Sequence, residues 1–105
     1  MNLLNLSPFV KLEIFAPMYL EKRIREILSQ TGAGRIGKFS GCSFSTIGKE
    51  YYQHEDFPRG HEEQQVKLEC TCLTKNLPIV MEQLKKDVNL LFYHVIPLCT
   101  PIAHL

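Results

Sequence analysis

Gln65-Val66-Lys67-Leu68-Glu69-Cys70-Thr71-Cys72-Leu73 alternates without a break. Val66, Leu68, Cys70 and Cys72 fall on one side and Lys67, Glu69 and Thr71 on the other, the two-residue period of a strand with one buried face. An apolar sheet face needs a covering layer, and the flanking sequence supplies two amphipathic helices. Upstream, Val10, Leu12 and Ile14 alternate with Lys11 and Glu13 until Pro17 ends a first strand and opens a helix. In that helix Leu20, Ile24, Ile27 and Leu28 form the apolar stripe while Glu21, Lys22, Arg25 and Glu26 face water. Gly32 or Gly34 supplies its left-handed stop. Downstream, Asn76 is placed to cap a second helix with Pro78 in its first turn, and Leu77, Val80, Met81 and Leu84 form its stripe.

Two further strands complete the pattern. Phe39 to Ile47 is rich in Ser, Thr and aromatic residues, with Cys42, Phe44 and Thr46 on one face and Ser43, Ser45 and Ile47 on the other. Gly48 to Gln64 lacks apolar periodicity and reads as a long connection or a partly ordered hairpin extension. The last strand is expected at Leu90 to Ile96. The order βαββαβ predicts an α+β, ferredoxin-like fold: a four-stranded antiparallel sheet with both helices on one face. Both faces of the last strand are apolar, since Leu90, Phe92 and Ile96 alternate with Leu91, Tyr93 and Val95. Its uncovered face therefore calls for a second cover, of which another subunit is the simplest.

The 105 residues (12.1 kDa) make room for one domain: a core at 10–98, a short extension at 1–9 and a tail at 99–105 that drapes over a neighbouring surface. With 45% hydrophobic residues the chain is globular rather than disordered, and a net charge of +1 offers no field for nucleic acid. The start lacks the basic and apolar regions of a signal peptide, and no run reaches the length of a membrane span, so a cytoplasmic protein without a membrane partner is expected. Cys42, Cys70, Cys72 and Cys99 lack the density of a disulfide scaffold, and Cys70 and Cys72 sit about 7 Å apart on one strand, too far to bridge.

Several clusters bear chemistry, each with a plainer alternative. Gly32-Ala33-Gly34-Arg35-Ile36-Gly37 fits G-x-G-x-x-G, yet it follows a helix and leads into a strand, the reverse of a dinucleotide fingerprint. A weaker reading is an anion nest, with the backbone of Gly34 and Gly37 and the side chains of Arg35 and Lys38 as donors. The alternative is a turn whose glycines satisfy positive φ. His54, Glu55, Asp56, His61, Glu62 and Glu63 crowd the long connection with ligands suited to zinc, nickel or copper, but the spacing fits no recognised finger and a solvated polar loop is the plainer reading, since a flexible loop must lose entropy to assemble a site. Cys70 and Cys72 with Cys42 would make a soft-metal group, or else small buried hydrophobes. Cys42 has no histidine near in sequence to activate it. His94 is either a ligand or a hydrogen-bonded core or interface residue. No enzyme signature emerges.

Gly32-Ala33-Gly34-Arg35-Ile36-Gly37-Lys38-Phe39 followed by Cys42-Ser43-Phe44-Ser45-Thr46 resembles the GAGxIGxYxxCSFST segment of the small domain inserted in bacterial NIF-three-like dinuclear-metal proteins. Lys11 to Pro17 resembles that domain's opening strand, Val66 to Glu69 its VRIE strand, and Tyr93 to Leu98 its closing YDIYPL. The resemblance covers residues 10–98 and implies a free-standing relative of the PII signalling and CutA divalent-cation-tolerance proteins. It further implies a homo-oligomer, a trimer above all, with ligands at subunit clefts. The residues it carries over are Gly32 to Gly37, Cys42, Ser43, Ser45 and Glu69. Lys86-Asp87-Val88-Asn89-Leu90 stands where the family has His-Pro-Tyr-Glu-Glu, and the dinuclear centre belongs to flanking domains, so no hydrolase activity carries over. The expected function is a non-catalytic module that binds a small anion through the glycine turn, or a divalent metal through His54, His61 and His94. An interaction or structural module without a small ligand is the alternative.

Overall fold

A computed structural model describes residues 7–88 and 92–99. Strand β1 runs Phe9–Pro17, followed by a single 3₁₀ turn at Met18–Leu20 and helix α1 at Glu21–Gln30. Strands β2 (Phe44–His54) and β3 (Phe57–Leu73) form a long hairpin, and a second 3₁₀ turn at Thr74–Asn76 leads to α2 (Leu77–Asp87) and β4 (Phe92–Pro97). The four strands make one antiparallel sheet in the order β2-β3-β1-β4. This is the ferredoxin-like arrangement that the alternating strands and striped helices demand.

The core lies on one face. Val10, Leu12, Ile14 and Ala16 of β1 and Val66, Leu68, Cys70 and Cys72 of β3 meet Ile24, Ile27 and Leu28 of α1 and Val80, Met81 and Leu84 of α2, all buried. All but Ala16 lie inward as their period predicts. Val95 packs on the same cluster from β4, while Tyr93 lies under the Lys85 ammonium, 5.7 Å from the ring centre. The helix α1 ends as its glycine predicts: Gly32 takes φ +82°, and the Ala33 N–H closes back on the Leu28 carbonyl at 2.9 Å.

The hairpin departs from expectation. Strand β2 begins at Phe44 rather than Phe39, because Ile36 and Phe39 pair with each other in a tight turn and Gly41, at φ +64°, redirects the chain. Gly48 to Gln64 takes the second of its two expected readings, a hairpin extension, with strand on both sides of a turn at Glu55–Asp56 rather than an open connection. Its two faces both meet water, so the ladder can form with no apolar alternation to announce it. Cross-strand contacts hold it: Tyr52 stacks on His61 with ring centres 5.5 Å apart, the Tyr52 hydroxyl donates to Glu63 at 3.0 Å, and Gln53 Nε2 donates to the Pro58 carbonyl at 2.7 Å. The ribbon projects from the domain, and the molecule measures 46 × 33 × 25 Å.

Smaller differences concern helix starts. Helix α1 opens at Glu21 after the 3₁₀ turn rather than at Pro17. Asn76 holds the cap position of α2 but is itself helical and makes no side-chain cap; the preceding 3₁₀ turn takes over that part of the helix entry. Leu90, Leu91 and the tail from Thr100 lie outside the described residues, as does most of the N-terminal extension. Among those described, no helix is long and apolar enough to cross a membrane.

Candidate functional site

Among the described residues, the helices cover one face of the sheet and leave the other bare. On the bare face, Lys11, Glu13 and Phe15 of β1 stand beside Lys67, Glu69 and Thr71 of β3 and Phe92, His94 and Ile96 of β4. Charges alternate across its middle: Lys11 Nζ reaches Glu69 at 2.9 Å and Glu13 at 3.3 Å, Lys67 reaches Glu69 at 3.4 Å, and His94 Nδ1 lies 3.0 Å from Glu13. Phe15 and Phe92 flank the ladder, their ring centres 4.9 Å apart. Lys11 and Glu13 were legible only as outward positions of β1. The register that sets them opposite Thr71 and Glu69 comes from the pairing of distant strands.

Hydrogen bonding from His94 and then Lys11 holds the Glu13 carboxyl below the usual carboxylate range, and Gln83 and then Arg23 do the same for Asp87. The Lys11 ammonium is held above its ordinary value, chiefly by Glu69. A carboxylate depressed by folding adds stability that is present above its unfolded pKa, about 4, and is lost as pH falls through its folded value. Lys11 contributes below its unfolded value and its share is lost as pH rises through the raised one. The melting temperature should therefore hold across neutral pH and drop on acidification below about pH 4, where the depressed carboxyls protonate. In Glu13→Gln the acid drop should shrink; an unchanged acid limb would remove Glu13 from the account.

At one end of the bare face the glycine turn closes over the strands. A hollow of about 260 Å³ is lined by Gly32, Arg35 and Gly37 together with Phe9, Thr71 and Asn76. Three of the residues singled out by the sequence thus meet at one place. The turn's hydrogen bonds are partly committed: the Gly34 N–H donates to the Thr71 carbonyl at 2.8 Å, and the Gly34 carbonyl accepts from Cys42 N–H at 2.9 Å. Gly34 is therefore a packing residue of the turn, whereas the exposed Arg35 and Lys38 side chains keep their charge available.

The other carried-over residues separate. Cys42 and Ser43 are half-buried where the turn enters β2, and Ser45 turns to α1, where its hydroxyl donates to Glu21 at 3.0 Å and accepts from Arg25 at 2.7 Å. Glu69 belongs to the charge ladder. Nor do the histidines converge: His54 sits at the hairpin tip beside Asp56, His61 stacks on Tyr52, and His94 pairs with Glu13. Among the described residues no group of three or more His, Cys, Asp or Glu is placed to hold a metal ion.

Cys70 and Cys72 are buried in the core, and burial pushes the Cys70 thiol up to about 12 and the Cys72 thiol up as well. The thiolate is the reactive form, so neither should react at neutral pH. With a thiol-titrating disulfide reagent the native protein should release prompt colour only from exposed Cys99 and half-buried Cys42, and all four should react in denaturant. Prompt reaction of Cys70 would contradict its packing.

No family model matches the chain. A stretch of 42 residues, 40% of this chain and 11% of the relative, is 42% identical to the GTP cyclohydrolase 1 type 2 homolog of Bacillus subtilis (strain 168). Among solved structures, the Bacillus cereus protein related to NIF3 superposes with a TM-score of 0.81 at 23% identity, over 90% of this chain and 26% of its own. The CutA protein of Archaeoglobus fulgidus gives 0.69 at 14% identity over 90% and 87%, and the B. subtilis GlnK–ATP complex gives 0.64 at 13% over 86% and 84%. The chain thus has the PII/CutA-like form of the ferredoxin-like fold and resembles a domain of NIF3-related proteins. It spans about a quarter of the B. cereus protein and a smaller part of the B. subtilis one.

Proposed function

We propose that this chain is a non-catalytic, oligomeric PII/CutA-like module that binds a small anion at the glycine turn and reports its occupancy through the β2–β3 ribbon. The observation that carries this reading is the hollow where Gly32, Arg35 and Gly37 meet at the end of an uncovered sheet face. The anion would take Arg35 and Lys38 as its charged contacts. The likeness to a GlnK protein solved with ATP and to a divalent cation tolerance protein supports a small ligand of one of those kinds. A metal would need ligands from more than one copy, since His54, His61 and His94 stand apart within one. The face left uncovered among the described residues, and the outer edges of β2 and β4 that no described strand pairs, favour self-association, with a trimer the state that the resemblance implies.

A thermal-melt panel on chelator-treated protein tests the ligand. Free ligand at 100 times its Kd adds about 2.7 kcal/mol, several degrees in a domain of this size. Nucleotides or inorganic phosphate should raise the melting temperature of the native chain and lose that effect in Arg35→Gln. A rise with divalent metals alone would move the site to the histidines. A flat panel would favour the second reading, an interaction module without a small ligand, for which the exposed Ile47, Tyr51, Tyr52 and Phe57 of the ribbon offer a surface.

A further inference from the structure

A second hollow, at the opposite end of the bare face from the glycine turn, has a composition of its own. It encloses about 430 Å³ at the root of the ribbon, and its lining includes Phe15, Phe92, Glu50, Gln65, Val66 and Lys67. That volume lies in the range of small-molecule sites.

Gln65 is the odd member. It is 5% exposed, yet its Oε1 has no hydrogen-bond partner. Its Nε2 donates to Glu63 Oε2 at 3.0 Å. That bond fixes the amide orientation, because the flipped amide would set two acceptors against each other. A buried acceptor without a donor is unfavourable and calls for an explanation. A second unfavourable feature adjoins it: Glu50 and Glu63 stand directly opposite on the antiparallel ladder, where like charges repel. Gln65 Oε1 is shut off from the hollow as it stands, and both features would be relieved by one positively charged donor at this end once the amide turns toward it.

The rest of the lining says what that donor is attached to. Lys67, one step further along β3, brings an ammonium that Glu69 holds at 3.4 Å, so a bare cation would meet repulsion there. Phe15 and Phe92, ring centres 4.9 Å apart, supply an apolar wall. Acceptors and an ammonium on adjacent same-face positions of β3, with Phe15 directly across from Lys67 and Phe92 beyond it, match a molecule that carries its ammonium and carboxylate close together and an apolar side chain to one side.

We propose that this hollow binds a free α-amino acid with an apolar side chain. The ligand ammonium donates to Gln65 Oε1, through a small turn of an amide still hinged on Glu63, and is balanced by Glu50. Its carboxylate pairs with Lys67, and its side chain lies against Phe15 and Phe92. The site shares no side chain with the glycine turn, so it stands or falls separately from the anion site proposed above, although Phe92 belongs to both this hollow and the face that copies of the chain would cover.

The test is calorimetric titration and thermal melting of the native chain with L-phenylalanine and L-leucine, and with 3-phenylpropionate, which lacks the ammonium. The amino acids should bind saturably and raise the melting temperature, and 3-phenylpropionate should bind at least tenfold more weakly. Gln65→Leu should weaken amino-acid binding at least tenfold. If Gln65→Leu does not fold, Lys67→Met provides the same reading from the carboxylate end. Failure of both amino acids to bind the native chain would overturn the proposal, as would equal binding of 3-phenylpropionate or undiminished binding by the folded variant.

Discussion

Gly34→Ala is expected to destabilise the protein by about 3 kcal/mol or more, a loss of roughly 15 °C in melting temperature for a domain of this size. Two costs combine. At φ +70° the backbone is in the left-handed region, where a side chain costs about 1–2 kcal/mol. The added Cβ would also press on the Cys42 carbonyl oxygen and lie 2.8 Å from its nitrogen, and both belong to backbone rather than to a flexible side-chain end. That backbone cannot retreat cheaply, because the Cys42 N–H is donated to Gly34 and the Gly34 N–H to Thr71, tying the turn to the edge of β3. Gly37→Ala is the control. It has φ +57° but nothing within 4 Å of the added Cβ, so only the left-handed penalty of about 1 kcal/mol should appear. Equal losses in the two variants, measured by denaturant unfolding, would mean that close approach is not what Gly34 provides. The same contact makes any Gly34 substitution a poor probe of ligand binding, since it disturbs the turn itself; Arg35, exposed and free of packing duties, reads the site cleanly.

The parts of the fold legible in the sequence are those where one face must be apolar. Val66, Leu68, Cys70 and Cys72 announced β3, and Ile24, Ile27 and Leu28 announced α1, because burial imposes a period on the chain. The ribbon imposes none. Tyr51, Tyr52 and Phe57 are exposed on it, and its stability rests on backbone ladder and cross-strand pairs that are visible only once the partner residue is known. The same holds for the candidate sites. Gly32, Arg35 and Gly37 are close in sequence and were found together, whereas Gln65 was read only as the first residue of a strand. Its orphaned oxygen depends on where Glu63 and the root of β2 place the amide, and no local pattern encodes that. Ser45 shows the converse: the motif groups it with the glycine turn, but strand alternation turns its hydroxyl to Glu21 and Arg25 of α1.

The bare face gives the second large effect. If copies of the chain cover it for one another, Phe92→Glu should convert the assembly to monomers. Phe92 is 45% exposed in a single copy and packs at a tilt on Phe15, beside a ladder in which Lys11 already pairs with Glu13 and Glu69. A new carboxylate there would be buried at the interface beside lysines already paired with Glu13 and Glu69, at a cost of several kcal/mol. About 3 kcal/mol per interface weakens association roughly a hundredfold, enough to shift a micromolar complex to monomer at working concentrations. Strand directions make such an assembly self-consistent. Each neighbour pair in the sheet is antiparallel, so β2 runs with β1 and against β4, and the outer edge of β4 in one copy can meet the outer edge of β2 in the next without breaking the alternation. A contact between two different edges is head-to-tail, and it closes into a ring when the rotation per copy allows. Light scattering behind a sizing column should give an oligomer for the native chain and for Phe92→Leu, which keeps the face apolar, and a monomer for Phe92→Glu. The native melt should also rise with protein concentration, and the Phe92→Glu melt should not. A native chain that weighs one protomer at tens of micromolar would leave the face to a different partner and remove the ring.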